Sequence, residues 1–263
     1  MPEIRIAFDD ANAYERYMGR WSRAIGEKFL AWVAPPQNAR WLDVGCGTGA
    51  FSELIVQHCT PKSVSGIDPS AAQIDYARGK LTNADLRVAD SMALPFGNGE
   101  FDIVTSALVL HFIPDRAKAL AETKRVACAG GLVTGYTWER TPTADFAPYA
   151  PMMRGIAAIG VEPMRSPTVP EANTDGLQTA VETAGFDDIA VTRIEATQSF
   201  RDFDDYWHIQ TLPLSPAGKS VAKLDDAQRA RLRDVLRAAL PIAQDGSISY
   251  PARAVAFKAR TPA

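Results

Sequence analysis

Between residues 14 and 34 apolar side chains recur at spacings of three and four, through Tyr17, Trp21, Ile25, Phe29, Leu30 and Val33. That spacing predicts a helix with one buried face, ended by Pro35-Pro36. A short apolar run over 40–44 then enters a cluster of glycines, and Phe51, Leu54 and Ile55 resume helical spacing over 48–58. The pattern reads as strand, tight turn, helix. It continues with strand 63–68, helix 71–81, strands 86–89 and 101–106, helix 116–126 and strand 132–137. Strands alternating with helices predict an α/β fold whose mostly parallel sheet is doubly wound, with helices on both faces.

After Trp138 the regularity lapses. Pro142, Pro148, Pro151, Pro163, Pro167 and Pro170 punctuate a stretch that also holds Phe146, Tyr149, Met152, Met153 and Met164, as expected of a partly helical cap inserted over 138–173. Core pattern returns with a helix over 174–184, stopped at Gly185, and a strand over 189–195; 252–259 supplies the last strand. The intervening 199–250 reads as a second insertion, helical over 200–212 and 225–240, the latter with Leu232, Val235, Leu236 and Leu240 on one face. The expected organisation is a ligand-binding half over 1–137, the two caps, a core helix and strand over 174–198, and a final strand and tail over 251–263. Met and aromatic residues in the caps either fill small cores of their own or line an apolar acceptor pocket. On the second reading Met152, Met153, Tyr206, Trp207 and His208 touch the acceptor.

Composition narrows the partners. Of 263 residues 46% are hydrophobic and 22% charged, as in soluble globular chains, and the formal charge is only -3. The basic residues are scattered, so a nucleic-acid partner is not expected. Cys46, Cys59 and Cys128 are an odd set without CxxC spacing, which reads as reduced thiols in a cytoplasmic protein. The N-terminus lacks a signal-peptide pattern, and no uninterrupted run of about 18 apolar residues predicts a membrane span. Nothing in the sequence sets an oligomeric state.

The strongest chemical signal is Asp43-Val44-Gly45-Cys46-Gly47-Thr48-Gly49, at the junction of a predicted strand and helix. Glycines let the turn tighten and bring backbone N–H groups close to a ligand at a helix start. Asp68 ends the next predicted strand, where a carboxylate can accept from both hydroxyls of a ribose. Together they point to an adenosine-type ligand. They do not separate a methyl donor from NAD, because Gly45, Gly47 and Ala50 also fit the dinucleotide pattern G-x-G-x-x-G/A.

Four stretches resemble class I S-adenosylmethionine-dependent methyltransferases, specifically the small-molecule subgroup called methyltransferase type 11. Asp43 stands before the glycines as in that family's D-x-G-x-G-x-G. Val88-Ala89-Asp90-Ser91-Met92-Ala93-Leu94-Pro95-Phe96 resembles its D-A-x-x-L-P-F segment. Phe101-Asp102-Ile103-Val104, followed by Leu110-His111-Phe112-Ile113-Pro114-Asp115, looks like its fourth strand and following helix. Arg125-Val126-Ala127-Cys128-Ala129-Gly130-Gly131 is similar to its L-x-P-G-G turn, with Ala129 for the usual Pro.

The resemblance implies a seven-stranded Rossmann-like sheet with helical caps and S-adenosylmethionine as donor, leaving S-adenosylhomocysteine after direct displacement by an O, N or C nucleophile of a small-molecule acceptor. It implies that Asp43 faces the donor's ammonium, that Gly45, Cys46, Gly47 and Gly49 cradle it, and that Asp68 and Pro69 meet its ribose. Asp90, Ser91 and Met92 would meet the adenine, Ala107 and Leu108 the methionine portion, and Tyr17 and Arg20 would close over the donor. Arg20 is equally readable as a surface ion-pair residue. His111 is readable as a general base or as a packed histidine, and with Asp115 alone it makes no metal site, so no metal is expected. Two other readings remain: a donor-binding regulator without catalysis and an NAD-dependent oxidoreductase.

Overall fold

The computed structural model describes residues 19–141, 146–164 and 169–263; Tyr17 and the Arg20 side chain lie outside that description. The first described helix, α1 (Arg20–Val33), ends with Ala34 in the left-handed region. Then come β1 (Arg40–Val44), α2 (Ala50–His58), β2 (Ser63–Asp68), α3 (Ala71–Lys80), β3 (Asp85–Val88), β4 (Phe101–Ala107), α4 (Arg116–Val126) and β5 (Ala127–Trp138). The cap after β5 holds α5 (Ala150–Ala158); α6 (Thr174–Thr183) and β6 (Asp187–Phe200) follow. The second insertion holds α7 (Phe203–Gln210), α8 (Pro216–Val221) and α9 (Asp226–Ala239), and β7 (Ile248–Arg260) closes the chain.

The sheet has seven strands in the order β3-β2-β1-β4-β5-β7-β6. Pairs from β3 to β5 are parallel, and β7 runs antiparallel between β5 and β6. Strand order reverses at β1, with β2 on one side and β4 on the other, which opens a crevice at the carboxyl edge of the sheet. One apolar core packs Trp21, Ile25 and Phe29 of α1 against Trp41, Phe51, Tyr136 and Trp138. A second, on the opposite face, packs Leu42, Val44, Val104 and Val133 with Leu120 of α4 and Leu177 and Val181 of α6. No described helix is long and apolar enough to cross a membrane.

Several boundaries differ from the sequence expectation. β5 starts at Ala127 rather than 132, because the glycine pair forms a bulge inside the strand: pairing with β4 skips from Ala127 to Leu132, and Thr261 Oγ1 accepts from Gly131 N–H at 2.9 Å. β6 and β7 run well past 189–195 and 252–259. Gln198 sits at a buried position and Pro251 sits within the ladder opposite Thr197, so a polar side chain and a proline are both carried inside the strands. α7 begins at Phe203, not 200, because Asp202 caps it by accepting from Asp205 N–H at 2.8 Å. α8 was not expected; Ser215 caps it through Gly218 N–H.

Candidate functional site

The site lies where β1 runs into α2. Gly45, Gly47 and Gly49 take φ of +78°, +55° and +81°, left-handed values that side chains resist. Space is short as well: a Cβ on Gly45 would lie 2.4 Å from Val109 Cγ2, and one on Gly47 2.7 Å from Gln73 Oε1. The N–H groups of Gly45 and Cys46 both donate to Ile67 O, at 2.8 and 2.9 Å, which ties the turn to β2. Gly49 opens α2 with no side-chain cap, so the helix presents its positive end at this turn.

Two carboxylates flank the turn. Asp68 Oδ2 accepts from Gly47 N–H at 3.1 Å and Oδ1 from Ser70 N–H at 2.9 Å. Burial raises its pKa against those two bonds, and each oxygen keeps a lone pair for a further donor. Asp43 is fully buried. Its Oδ2 accepts from Ser52 Oγ on α2 at 2.6 Å, while Oδ1 is buried without a partner among the described residues. Burial, opposed by the Ser52 bond and reinforced by the charge of Asp68, pushes Asp43 up to about 7.

Beyond β3, Asp90 is exposed and folds its own turn, Oδ1 accepting from Met92 N–H at 2.8 Å. Met92 packs partly buried against the α4-side core. α4 fixes the next stretch: Glu122 accepts from Leu94 N–H at 2.8 Å. Arg125 donates to Phe96 O at 2.8 Å, Leu94 O at 3.0 Å and Asn98 Oδ1 at 3.0 Å. This Glu122–Arg125 clamp was not anticipated, though both residues lie in a helix the sequence outlines.

After β4 the chain turns through Leu108, a non-glycine residue with φ +61°, costly outside glycine and typical of functional turns. Its N–H donates to Tyr136 O at 2.8 Å, which sets Val109 onto Gly45. His111 sits in a short 3-10 turn, Leu110–Phe112, with Nδ1 2.7 Å from Thr137 Oγ1. Burial, helped by the charge of Arg140, pushes its pKa down to about 3, so the ring is neutral at physiological pH.

Four of the five expected acceptor residues meet in one core, and His208 is separate. Met152 and Tyr206 are fully buried in the α1-side core, and Met153 and Trp207 pack partly buried against it. His208 is exposed and is not brought to the others: two positions along a helix from Tyr206, it falls on a different face. Cys46, Cys59 and Cys128 are free thiols. Sequence reasoning missed Ser52, Gln73 and Val109, which carry no motif and act only through the fold.

An α/β sheet with a glycine turn and a strand-end carboxylate at its switch point defines a Rossmann-like adenosine-binding fold. Residues 42–134 match the family described as a methyltransferase domain, so this segment is a domain of the class I S-adenosylmethionine-dependent methyltransferases. The chain is 30% identical over 129 residues to malonyl-[acyl-carrier protein] O-methyltransferase of Serratia marcescens, covering 47% of this chain and 50% of that one. It is 37% identical over 108 residues to demethylmenaquinone methyltransferase of Lactiplantibacillus plantarum, covering 38% and 46%. The chain thus spans about half the length of these curated relatives. Among solved structures, phosphoethanolamine N-methyltransferase 2 of Haemonchus contortus in complex with S-adenosyl-L-methionine aligns with TM-score 0.59 at 17% identity, covering 100% of this chain and 62% of that one.

Proposed function

We propose that the chain binds S-adenosylmethionine at the glycine turn and transfers its methyl group to a small-molecule O, N or C nucleophile by direct displacement, releasing S-adenosylhomocysteine. The observation that carries this reading is the pair of carboxylates flanking the turn. Asp68 is already bonded into Gly47 yet has lone pairs left for two hydroxyls. Asp43 holds a buried, unpartnered oxygen that a cation would satisfy. A ligand with a ribose at one end and an ammonium at the other meets both needs.

When bound, the donor supplies an electrophilic methyl on a positive sulfur; the chain's own residues then bind, orient and exclude water. The 45–49 turn and the open start of α2 orient the amino-acid end, Asp68 and the neighbouring Pro69 the ribose, and Asp90 with Ser91 and Met92 the adenine. Asp90 Oδ1 already holds Met92 N–H, so Oδ2 is the oxygen offered to an exocyclic amine. Ala107, Leu108 and Val109 wall the reacting end; the donor-covering role expected of Tyr17 and Arg20 falls on side chains outside the described residues. Alignment and exclusion of water carry the rate, worth up to about 7 kcal/mol. His111, buried, neutral and bonded to Thr137, is a weak base with its pKa at about 3, which supports its reading as a packed histidine rather than a general base.

The test is transfer of labelled methyl from the donor into a fractionated pool of small metabolites. Label in an extracted small molecule, with S-adenosylhomocysteine formed in equal amount, supports the proposal. Tight donor binding with no label transferred to any fraction favours the regulatory reading, and preferential NAD binding favours the oxidoreductase.

A further inference from the structure

Beyond the register Trp138↔Ala254 the ladder between β6 and β7 continues past the end of β5, with Arg253 also bonded to Glu139 and Phe146 and Ile248 bridged to Ile242. This part of the ladder overhangs the sheet at the carboxyl edge, the same edge as the glycine turn. On the inward face of this overhang Gln198 and Tyr250 are cross-strand partners. The Tyr250 ring lies 5.9 Å from Trp21, 5.7 Å from Phe200 and 6.1 Å from Tyr206. Its hydroxyl receives Gln210 Nε2 at 3.2 Å and donates to Pro148 O at 2.9 Å.

Around this ring, among the described residues, five buried polar atoms have no partner: Trp21 Nε1, Gln198 Oε1 and Nε2, Tyr206 Oη and Gln210 Oε1. Trp21, Tyr206 and Gln210 are 0% exposed and Gln198 6%. Native cores leave few such atoms, each at a cost of about 1–3 kcal/mol unless water or a ligand meets it.

We propose that this cluster is the acceptor-recognition surface, and that the acceptor is a flat, uncharged molecule that both donates and accepts hydrogen bonds. The proposal rests on the methyl-transfer reading and names its second substrate by class. Trp21 Nε1 can only donate, Gln210 Oε1 can only accept, and the Gln198 amide and Tyr206 hydroxyl do both, so a ligand with one kind of group leaves atoms unmet. The surrounding rings favour a planar body stacked or edge-on. None of these side chains is charged, and Arg154, whose charge reaches Tyr206, is exposed; a carboxylate or phosphate would enter without a counter-ion. The cluster adjoins the donor side through Trp138, whose ring lies 6.0 Å from Trp21, two residues past the Tyr136 carbonyl that holds Leu108. Because these atoms are buried, the acceptor is admitted by movement of the caps.

The test uses neutral aromatic amides and phenols headed by para-hydroxybenzamide, each matched with its carboxylate, titrated by tryptophan fluorescence with S-adenosylhomocysteine present. Donor binding is measured calorimetrically on the same proteins. Gln198→Leu and Tyr206→Phe remove polar atoms at similar volume. Saturable binding of a neutral probe but not its carboxylate, weakened at least tenfold in each variant, is expected. Both variants should keep donor affinity and unfold at the same or a higher temperature. The assignment is overturned if no neutral probe binds, if the carboxylates bind as well, or if the variants lose thermal stability while binding is unchanged. Failure of the wild type to bind the donor would instead remove the methyl-transfer reading.

Discussion

Asp43 is the residue at which burial and ligand chemistry meet most directly. Fully buried and bonded only to Ser52, its carboxyl is displaced from 3.8 to about 7, which at about 1.4 kcal/mol per pH unit corresponds to ~4 kcal/mol. A carboxyl whose pKa rises on folding holds its proton more tightly in the native state. Its contribution to stability is therefore intact below the unfolded value and lost as pH rises through 7. Replacing it by Asn keeps the contact with Ser52 and removes the ionisation. Urea denaturation of the ligand-free protein between about pH 5 and 8 should show wild-type stability falling relative to Asp43→Asn, by just under ~3 kcal/mol over that window, the rest of the linkage lying below about pH 5. Donor binding should behave oppositely. The ionised carboxylate facing an ammonium is worth about 1.5–3 kcal/mol, so the variant binds the donor roughly tenfold to a hundredfold more weakly at high pH, and the gap closes as pH falls below 7. Parallel stability curves for the two proteins, or equal donor affinity at alkaline pH, would refute the assignment.

Gly45→Ala combines a left-handed φ with a clash against Val109; a loss of about 2 kcal/mol or more in thermal denaturation and of measurable donor binding is expected. His111→Asn bears on the acid limb: a pKa held near 3 means the wild type's neutral-ring stability is complete above about 6.5 and lost as pH falls towards 3. The variant should show a flatter acid denaturation curve, and the wild-type rate should show no inflection from this group between about pH 6 and 9. Arg125→Ala frees the Leu94, Phe96 and Asn98 contacts; it should cost about 1 kcal/mol, given its partial exposure, and raise the donor Kd several-fold.

What the sequence disclosed was local. The apolar run before Gly45, the glycine spacing and Asp68 lie within short stretches whose patterning decides their structure, and α4 matches expectation at both ends, its start set by Asp115, which accepts from Lys118 N–H. What it withheld depends on contacts between distant segments. Gln198 and Gln210 look like surface residues in the chain, yet the β6–β7 overhang and α7 turn both inward. Pro251 resembles a strand breaker but is accommodated in the ladder beside β6. Pro216-Ala217-Gly218-Lys219-Ser220-Val221 carries no apolar periodicity, and its helix depends on the Ser215 cap and on packing of Ala217 and Val221. His208 was grouped with Tyr206 by proximity in sequence, whereas helical geometry separates them.

The central claim, that the glycine turn with Asp68 is a methyl-donor site, is tested most directly by calorimetric titration of the protein and its Asp68→Ala variant with S-adenosylmethionine and with NAD. Saturable binding of S-adenosylmethionine, weakened on the order of a hundredfold by the substitution as two hydroxyl partners are lost, with no binding of NAD, is the predicted result. Absence of donor binding, indifference to the substitution, or preference for NAD would contradict it.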